Sequence, residues 1–354
     1  MTELPEIGKI SPEIFNELIF PRLGAKSDKL LVGPQHGVDV GIVEIGNKAV
    51  SLTTDPVFIV PEYGWERAAW FAIHILASDS ATSGLKPAYM SIDLNLPMEI
   101  TREQLTIMWD TMHRECRKLG ITVVTGHTGR YENCHYPMVG GATVIGVGGK
   151  NEYVTPKLAK AGDKIIITKG PAIEAVGILA TMFPKLIEKK FGKAFSRKAE
   201  KIFYKMSVVE DAMTAIGVGV RDKGVTAMHD ATECGIWGGL HEFAQAAGLG
   251  VRVEKETIVV EDCVMEICSF FDIDPYASIS EGTLIIACKA NKAQAVVNAL
   301  SRKGIKSSIV GELTPPDKGM FLVEKGKAKK LKHPIVDPFW KAFFDALEKY
   351  GGKG

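Results

Sequence analysis

No Cys-x-x-Cys pair occurs in this chain, although it has six cysteines: Cys116, Cys134, Cys234, Cys263, Cys268 and Cys288. A zinc ribbon or dithiol redox motif is therefore unsupported, and the thiols read as small hydrophobes. Neither charge sign prevails: 43 basic and 42 acidic residues leave a formal net charge of +1. That balance speaks against a nucleic-acid surface. No stretch is long and apolar enough to cross a membrane. The opening MTELPEIGKI lacks the apolar run of a signal peptide, so the expected compartment is the cytoplasm. Two nucleotide signatures are missing as well, G-x-x-x-x-G-K-S/T and G-x-G-x-x-G, which disfavours P-loop and Rossmann sites.

What is present is ordinary for a globular chain. There are 354 residues, 46% apolar and 24% charged, enough for two domains and a core without disulfides. Strand and helix patterns alternate along the chain, which predicts an α/β or α+β fold in layers. Val38–Ile45 and Lys48–Thr54 read as strands joined by Gly46-Asn47, a two-residue hairpin signal. Gly64–Ser83 and Arg102–Leu119 read as helices, the second opened by Thr101. Pro87–Leu96, Ile121–Thr125 and Met138–Val147 read as strands, with Gly126–Tyr136 as a polar loop. Gly148-Gly-Lys-Asn-Glu152 marks a boundary, which divides the chain into domains 1–152 and 153–354. Beyond it come a strand at Lys164–Thr168, helices through most of Ala172–Val220, and a strand at Val225–Met228. A helix at Gly235–Ala247 and an amphipathic tail at Asp337–Tyr350 follow.

Four aspartates in Gly-, Thr- or Ser-bearing segments carry the chemical reading: Asp39, Asp55, Asp79 and Asp230. A hard cation on nucleotide phosphates needs carboxylates that converge in space. Closing the hairpin on Gly46-Asn47 brings Asp39 across from Thr54, beside Asp55. Strict alternation puts the two carboxylates on opposite faces, so a strand must end or bulge there. Asp79 interrupts a helix between two serines, which a bound cation or close backbone approach would explain. The bland alternative for all four is turn, capping and surface aspartates.

Around them lie loops suited to anions. Gly33-Pro-Gln-His-Gly37 and Gly126-His-Thr-Gly129 offer glycine backbone, with His36 and His127 as candidates for substrate contact or proton transfer. His229-Asp-Ala-Thr-Glu-Cys-Gly235 opens a glycine-rich helix N-terminus, where Thr232 and Glu233 add oxygen ligands.

Taken in order, GPQHGVDVGIV, SLTTDPV, ASDSATSGLKP, SIDLNLP, VVTGHTG, AGDKIIIT, HDATECGIWGGLHE, SEGTLIIA and IVGEL resemble the aminoimidazole ribonucleotide synthetase-like (PurM-like) superfamily. The resemblance runs from about residue 33 to 312. It is greatest to the hydrogenase-maturation carbamoyl dehydratase (HypE-like) and to synthase-related proteins. It implies an N-terminal sheet-and-helix domain that pairs in a homodimer and binds ATP and Mg2+, followed by a C-terminal α/β domain. It further implies Asp39, Asp55, Asp79 and Asp230 as metal ligands. Gly37, Gly126, Thr128, Thr232 and Glu233 fall in its nucleotide-binding segments. The Gly-His-Thr turn of selenophosphate synthetase looks like Gly126-His127-Thr128. The implied activity is ATP-dependent phosphorylation of an amide or carbamoyl oxygen on a small molecule, with a partner protein that delivers the substrate. The alternatives are a small-metabolite kinase of the thiamine-monophosphate kinase type and a non-catalytic nucleotide-binding scaffold. Two departures stand out. The dehydratase ends in a carbamoyl-carrying cysteine where this chain reads Tyr350-Gly-Gly-Lys-Gly354. The dehydratase also has Arg where Glu233-Cys234 stands.

Overall fold

Ile45 pairs with Lys48 around Gly46-Asn47, so the hairpin forms in the register read from the sequence. Gly46 takes φ +58°, the left-handed conformation such a turn demands. The computed structural model describes residues 10 and 12–351. Its first sheet has six strands: β1 (Leu30–Val32), β2 (Gly41–Ile45), β3 (Lys48–Phe58), β4 (Pro87–Leu96), β5 (Thr122–Arg130) and β6 (Met138–Gly149). They lie in the order β1-β2-β3-β6-β4-β5. Only β4 and β5 are parallel, and the helix Arg102–Leu119 makes the crossover such a pair needs. Thr101 and Gln104 close a reciprocal capping box at its start, and Gly120 ends it in the left-handed region.

The second sheet has seven strands: β7 (Lys164–Thr168), β8 (Val225–Ala231), β9 (Gly250–Glu254), β10 (Thr283–Cys288), β11 (Ser307–Thr314), β12 (Met320–Glu324) and β13 (Lys327–Lys330). Their order is β13-β12-β9-β11-β7-β10-β8. Every residue of β8 and β10 is buried. Ile286 faces a core shared with Leu76, Met90 and Phe203, while Ile285 faces a second core with Trp237, Leu240 and Phe243. The shared core runs through both halves of the chain. The helix Trp65–Thr82 lies between them, touching β3 and β6 on one side and β8 on the other. Its buried Ala68, Ala69, Ala72 and Ala77 let those backbones approach closely. Among the described residues no helix is long and apolar enough to cross a membrane.

The α/β reading holds, and three local expectations need correction. β2 begins at Gly41 rather than Val38. β8 continues through Ala231, so His229 and Asp230 belong to a strand. The stretch Gly126–Gly129, expected in a loop, is part of β5, paired in parallel with Ile92–Asn95. Its composition reads as a turn because glycine is abundant there, but the glycines serve strand packing. A Cβ on Gly126 would come within 2.3 Å of the Ile92 carbonyl oxygen. The helix Val264–Phe270 and the strands β12 and β13 have no counterpart among the elements expected from the sequence.

Candidate functional site

Asp39 lies two residues before β2, outside the ladder, so strand alternation does not constrain it. The strand end that the alternation argument required is therefore present. Thr53 Oγ1 donates to the Asp39 carbonyl at 3.0 Å and pins the loop to β3. Asp55 follows Thr53 by two residues on the same face of β3. The Thr53 hydroxyl also lies 3.4 Å from Asp55 Oδ2 and 3.5 Å from Asp79 Oδ2. Asp79 reaches this point from the helix Trp65–Thr82, and Asp230 from β8. Ligand atoms of Asp39, His229 and Asp230 fall within 4.8 Å of one another.

Such crowding is unfavourable without a cation. Burial, then the carboxylates of Asp230, Asp55 and Asp39, push the Asp79 carboxyl well above its ordinary range. Burial and Asp39 push Asp230 up to about 7, against the opposing pull of His229. Asp230 Oδ2 is buried with no hydrogen-bond partner among the described residues. An orphaned carboxylate oxygen amid converging acids fits a divalent cation with oxygen ligands, and Mg2+ suits that donor set.

Three further acids and bases border the cluster. Glu281, 4% exposed, has a carboxyl raised well above the usual range by burial, then by Asp230 and Glu174. Its Oε1 also has no partner among the described residues. His229 Nδ1 sits 3.0 Å from both Asp39 oxygens, and its Nε2 sits 3.3 Å from Glu242 Oε2. Burial opposes charging of this imidazole, but Asp39 and Glu242 outweigh it and hold its pKa well above normal. Sequence reasoning passed over His229, Glu242 and Glu281. His229 adjoins Asp230 and Glu281 interrupts a Ser-Glu-Gly step before a buried strand, so each left a trace. Glu242 left none, because it is one acid on an amphipathic helix.

The other candidates scatter. His36 Nε2 is buried without a partner among the described residues, and its ring meets Phe15 edge-on at 5.2 Å. Gly37 (φ +73°) packs against the helix Gly235–Ala247, where a Cβ would come 2.5 Å from the Glu242 carbonyl oxygen. Its glycine is explained by that contact. Gly126, His127 and Thr128 lie on the edge strand β5, separated from β3 by β6 and β4, about 14 Å at ordinary strand spacing. His127 Nε2 lies 2.5 Å from the Tyr131 hydroxyl. A shallow pocket of about 260 Å3 spans that distance, lined by Thr54, Ser91, Asp93, Thr125, His127 and Thr143 among others. Thr232 contributes its carbonyl, which accepts from Gly235 N and Ser280 N. The helix start beside Glu233 already holds an anion: Asp337 Oδ2 accepts from Cys234 N at 2.7 Å. Burial pushes Asp337 up to about 6, and Glu233 adds to the shift.

Comparison with known proteins agrees with this architecture. A hydrogenase expression/formation protein of Methanocaldococcus jannaschii is 22% identical over 335 residues, covering 94% of this chain and 96% of the relative. The carbamoyl dehydratase HypE of Escherichia coli is 28% identical over 277 residues, 74% of this chain and 75% of that one. Two solved structures share the fold. A chain of a HypE–HypF complex has a TM-score of 0.69 at 17% identity, covering 91% of this chain and 99% of that one. A hydrogenase maturation protein HypE in complex with ATP has a TM-score of 0.65 at 20% identity, covering 94% and 97%. The family models for the N-terminal and C-terminal domains of AIR synthase related proteins match residues 37–148 and 160–324. With both matched in order over most of its length, the chain belongs to the AIR synthase related protein family.

Proposed function

We propose that this protein is an ATP-dependent, Mg2+-requiring enzyme that phosphorylates an amide or carbamoyl oxygen of a small substrate. The observation that carries the reading is the convergence of Asp39, Asp55, Asp79 and Asp230 from a loop, a strand, a helix and a second strand. Family membership supports it, as does the ATP complex of a structural neighbour. The four carboxylates would hold the cation, which offsets triphosphate charge when bound. Phosphorylation turns the oxygen into a leaving group, released as phosphate when a nucleophile or loss of water completes the reaction. Glu281, buried beside the cluster with its carboxyl raised above the ordinary range, would be a further candidate to move a proton at the substrate. His36 and His127 remain candidates for contact with the substrate oxygen, and Gly37, Gly126, Thr128, Thr232 and Glu233 for contact with the nucleotide.

The reading extends to organisation. Residues 1–152 would form the ATP and Mg2+ domain and 153–354 the second domain. The half-exposed outer face of the first sheet would pair with a second copy in a cytoplasmic homodimer. The HypE–HypF complex of a neighbour supports a substrate-delivering protein partner. Calorimetry with a non-hydrolysable ATP analogue tests the site. Binding should require Mg2+ in the wild type and disappear in Asp79→Asn and Asp230→Asn, with both variants still folded. Mg2+-dependent binding retained by both would sink the site. Product analysis then separates free phosphate, expected here, from a stably phosphorylated metabolite, the mark of a simple kinase.

A further inference from the structure

Asp39 differs from the other three carboxylates in how it is held. The backbones of Asp55, Asp79 and Asp230 are held by the strands and helix that carry them. Asp39 sits in a loop, so its side chain depends on what it touches, and that is His229 Nδ1, 3.0 Å from each carboxylate oxygen. The contact is the start of a chain. His229 Nε2 lies 3.3 Å from Glu242 Oε2, and Glu242 Oε1 lies 3.3 Å from His333 Nε2. His333 Nδ1 then donates to the Pro334 carbonyl at 2.6 Å. Both nitrogens of His333 face acceptors, as do both nitrogens of His229. Each nitrogen of both rings thus faces a carboxylate or carbonyl acceptor, and the chain alternates carboxylate and imidazole.

The far end is anchored. Asp337 accepts from Cys234 N at 2.7 Å and from Phe339 N at 2.9 Å, and Phe339 is fully buried. Two glycines make room for the arrangement. A Cβ on Gly238 would lie 2.7 Å from Cys234 Cβ and 3.4 Å from His333 Nε2, so the His333 ring rests on bare helix surface. Gly37 brings the Asp39 loop into contact with the backbone of Glu242 itself. Segments 36–39, 229–242 and 333–337 thus meet on one helix.

We propose that His229, Glu242 and His333 are positioning residues that fix the Asp39 carboxylate for a divalent cation, so that the segment His333–Asp337 sets cation affinity. The proposal rests on reading the carboxylate cluster as a cation site. His229 acts as a donor to Asp39 rather than as a ligand, because a hard cation prefers oxygen and Nδ1 is already committed between the two oxygens. Outer partners of this kind orient a ligand and typically change metal affinity by about 10- to 100-fold when removed.

The experiment is titration of the full-length protein with Mn2+ alone, the free aquo ion read by its electron paramagnetic resonance signal. Four chains are compared: wild type, Asp230→Asn, His333→Asn and His333→Gln. The Gln amide can reach Glu242 from the position of His333 Nε2, whereas the shorter Asn amide cannot. The expected result is tight binding by the wild type and loss in Asp230→Asn. His333→Asn should weaken binding by about tenfold, with His333→Gln within about threefold of wild type. A shared folding defect would weaken Asn and Gln variants alike, and that outcome overturns the proposal. Wild-type affinity in His333→Asn also overturns it, while loss in Asp230→Asn leaves the cation site standing. No binding by the wild type, or wild-type binding by Asp230→Asn, overturns both.

Discussion

The two sheets are finished to different degrees within one chain. The strands β8 and β10 are buried along their whole length, with apolar cores on both faces. Among the described residues the first sheet carries its helices, Trp65–Thr82 and Arg102–Leu119, on one face. Along β4 the alternate residues Met90, Ile92, Leu94 and Leu96 are buried, while Tyr89 and Asp93 on the other face are exposed. β5 is exposed almost throughout, with Val124 at 55%. An exposed sheet face and an unpaired edge strand are surfaces a chain must manage, commonly by pairing. The carboxylate cluster sits between the halves: Asp39, Asp55 and Asp79 come from the open one and Asp230 from the closed one. An open sheet leaves one face uncovered, whereas a closed sheet supplies a rigid strand to the cluster.

The largest stability effect should come from the closed half. Phe243→Ala removes a fully buried ring and should cost about 3–5 kcal/mol, read by chemical denaturation. A small loss there would mean the second core is loosely packed and the contrast overstated. In the open half, Tyr89→Asp should leave the thermal midpoint of the folded chain nearly unchanged yet shift sedimentation from dimer to monomer. A dimer that persists would remove the outer face of the first sheet from the interface.

The junction between the halves should respond to pH. The folded Asp230 carboxyl, at about 7, binds its proton more tightly than an ordinary carboxyl at 3.8. Folded chains then hold more protons than unfolded ones, so stability should fall as pH rises from about 4 to about 7. In a cation-free buffer the thermal midpoint should be lower at pH 8 than at pH 5, and Mg2+ should raise it more at pH 8. A flat profile insensitive to Mg2+ would count against the crowded carboxylates. The smallest effect is local to the open half: Thr101→Ala removes one arm of a capping box and should cost about 1 kcal/mol.

Much of this was legible wherever cause and effect lie close in sequence. The Gly46-Asn47 hairpin, the Thr101 cap, the strands Pro87–Leu96 and Lys164–Thr168 and the helix Gly235–Ala247 follow from turn chemistry, capping and hydrophobic period. The four aspartates stood out through their Gly-, Thr- or Ser-bearing segments and the family resemblance, and only Asp79 broke a local pattern, a helix between two serines. Gly126–Gly129 misled, since glycine marks both a turn and a strand whose backbone is closely approached, and only the partner strand distinguishes them.

The sequence by itself determined most of the order of elements, the family and which carboxylates to watch, because those depend on local propensity and on recurring segments. Tertiary structure alone decided what those carboxylates touch. His229 meets Asp39 across 190 residues of chain, and His333 meets Glu242 across 91. No local preference encodes such contacts. They arise because the burial of two cores fixes the helices and strands first, and side chains from distant segments then share whatever polar space remains.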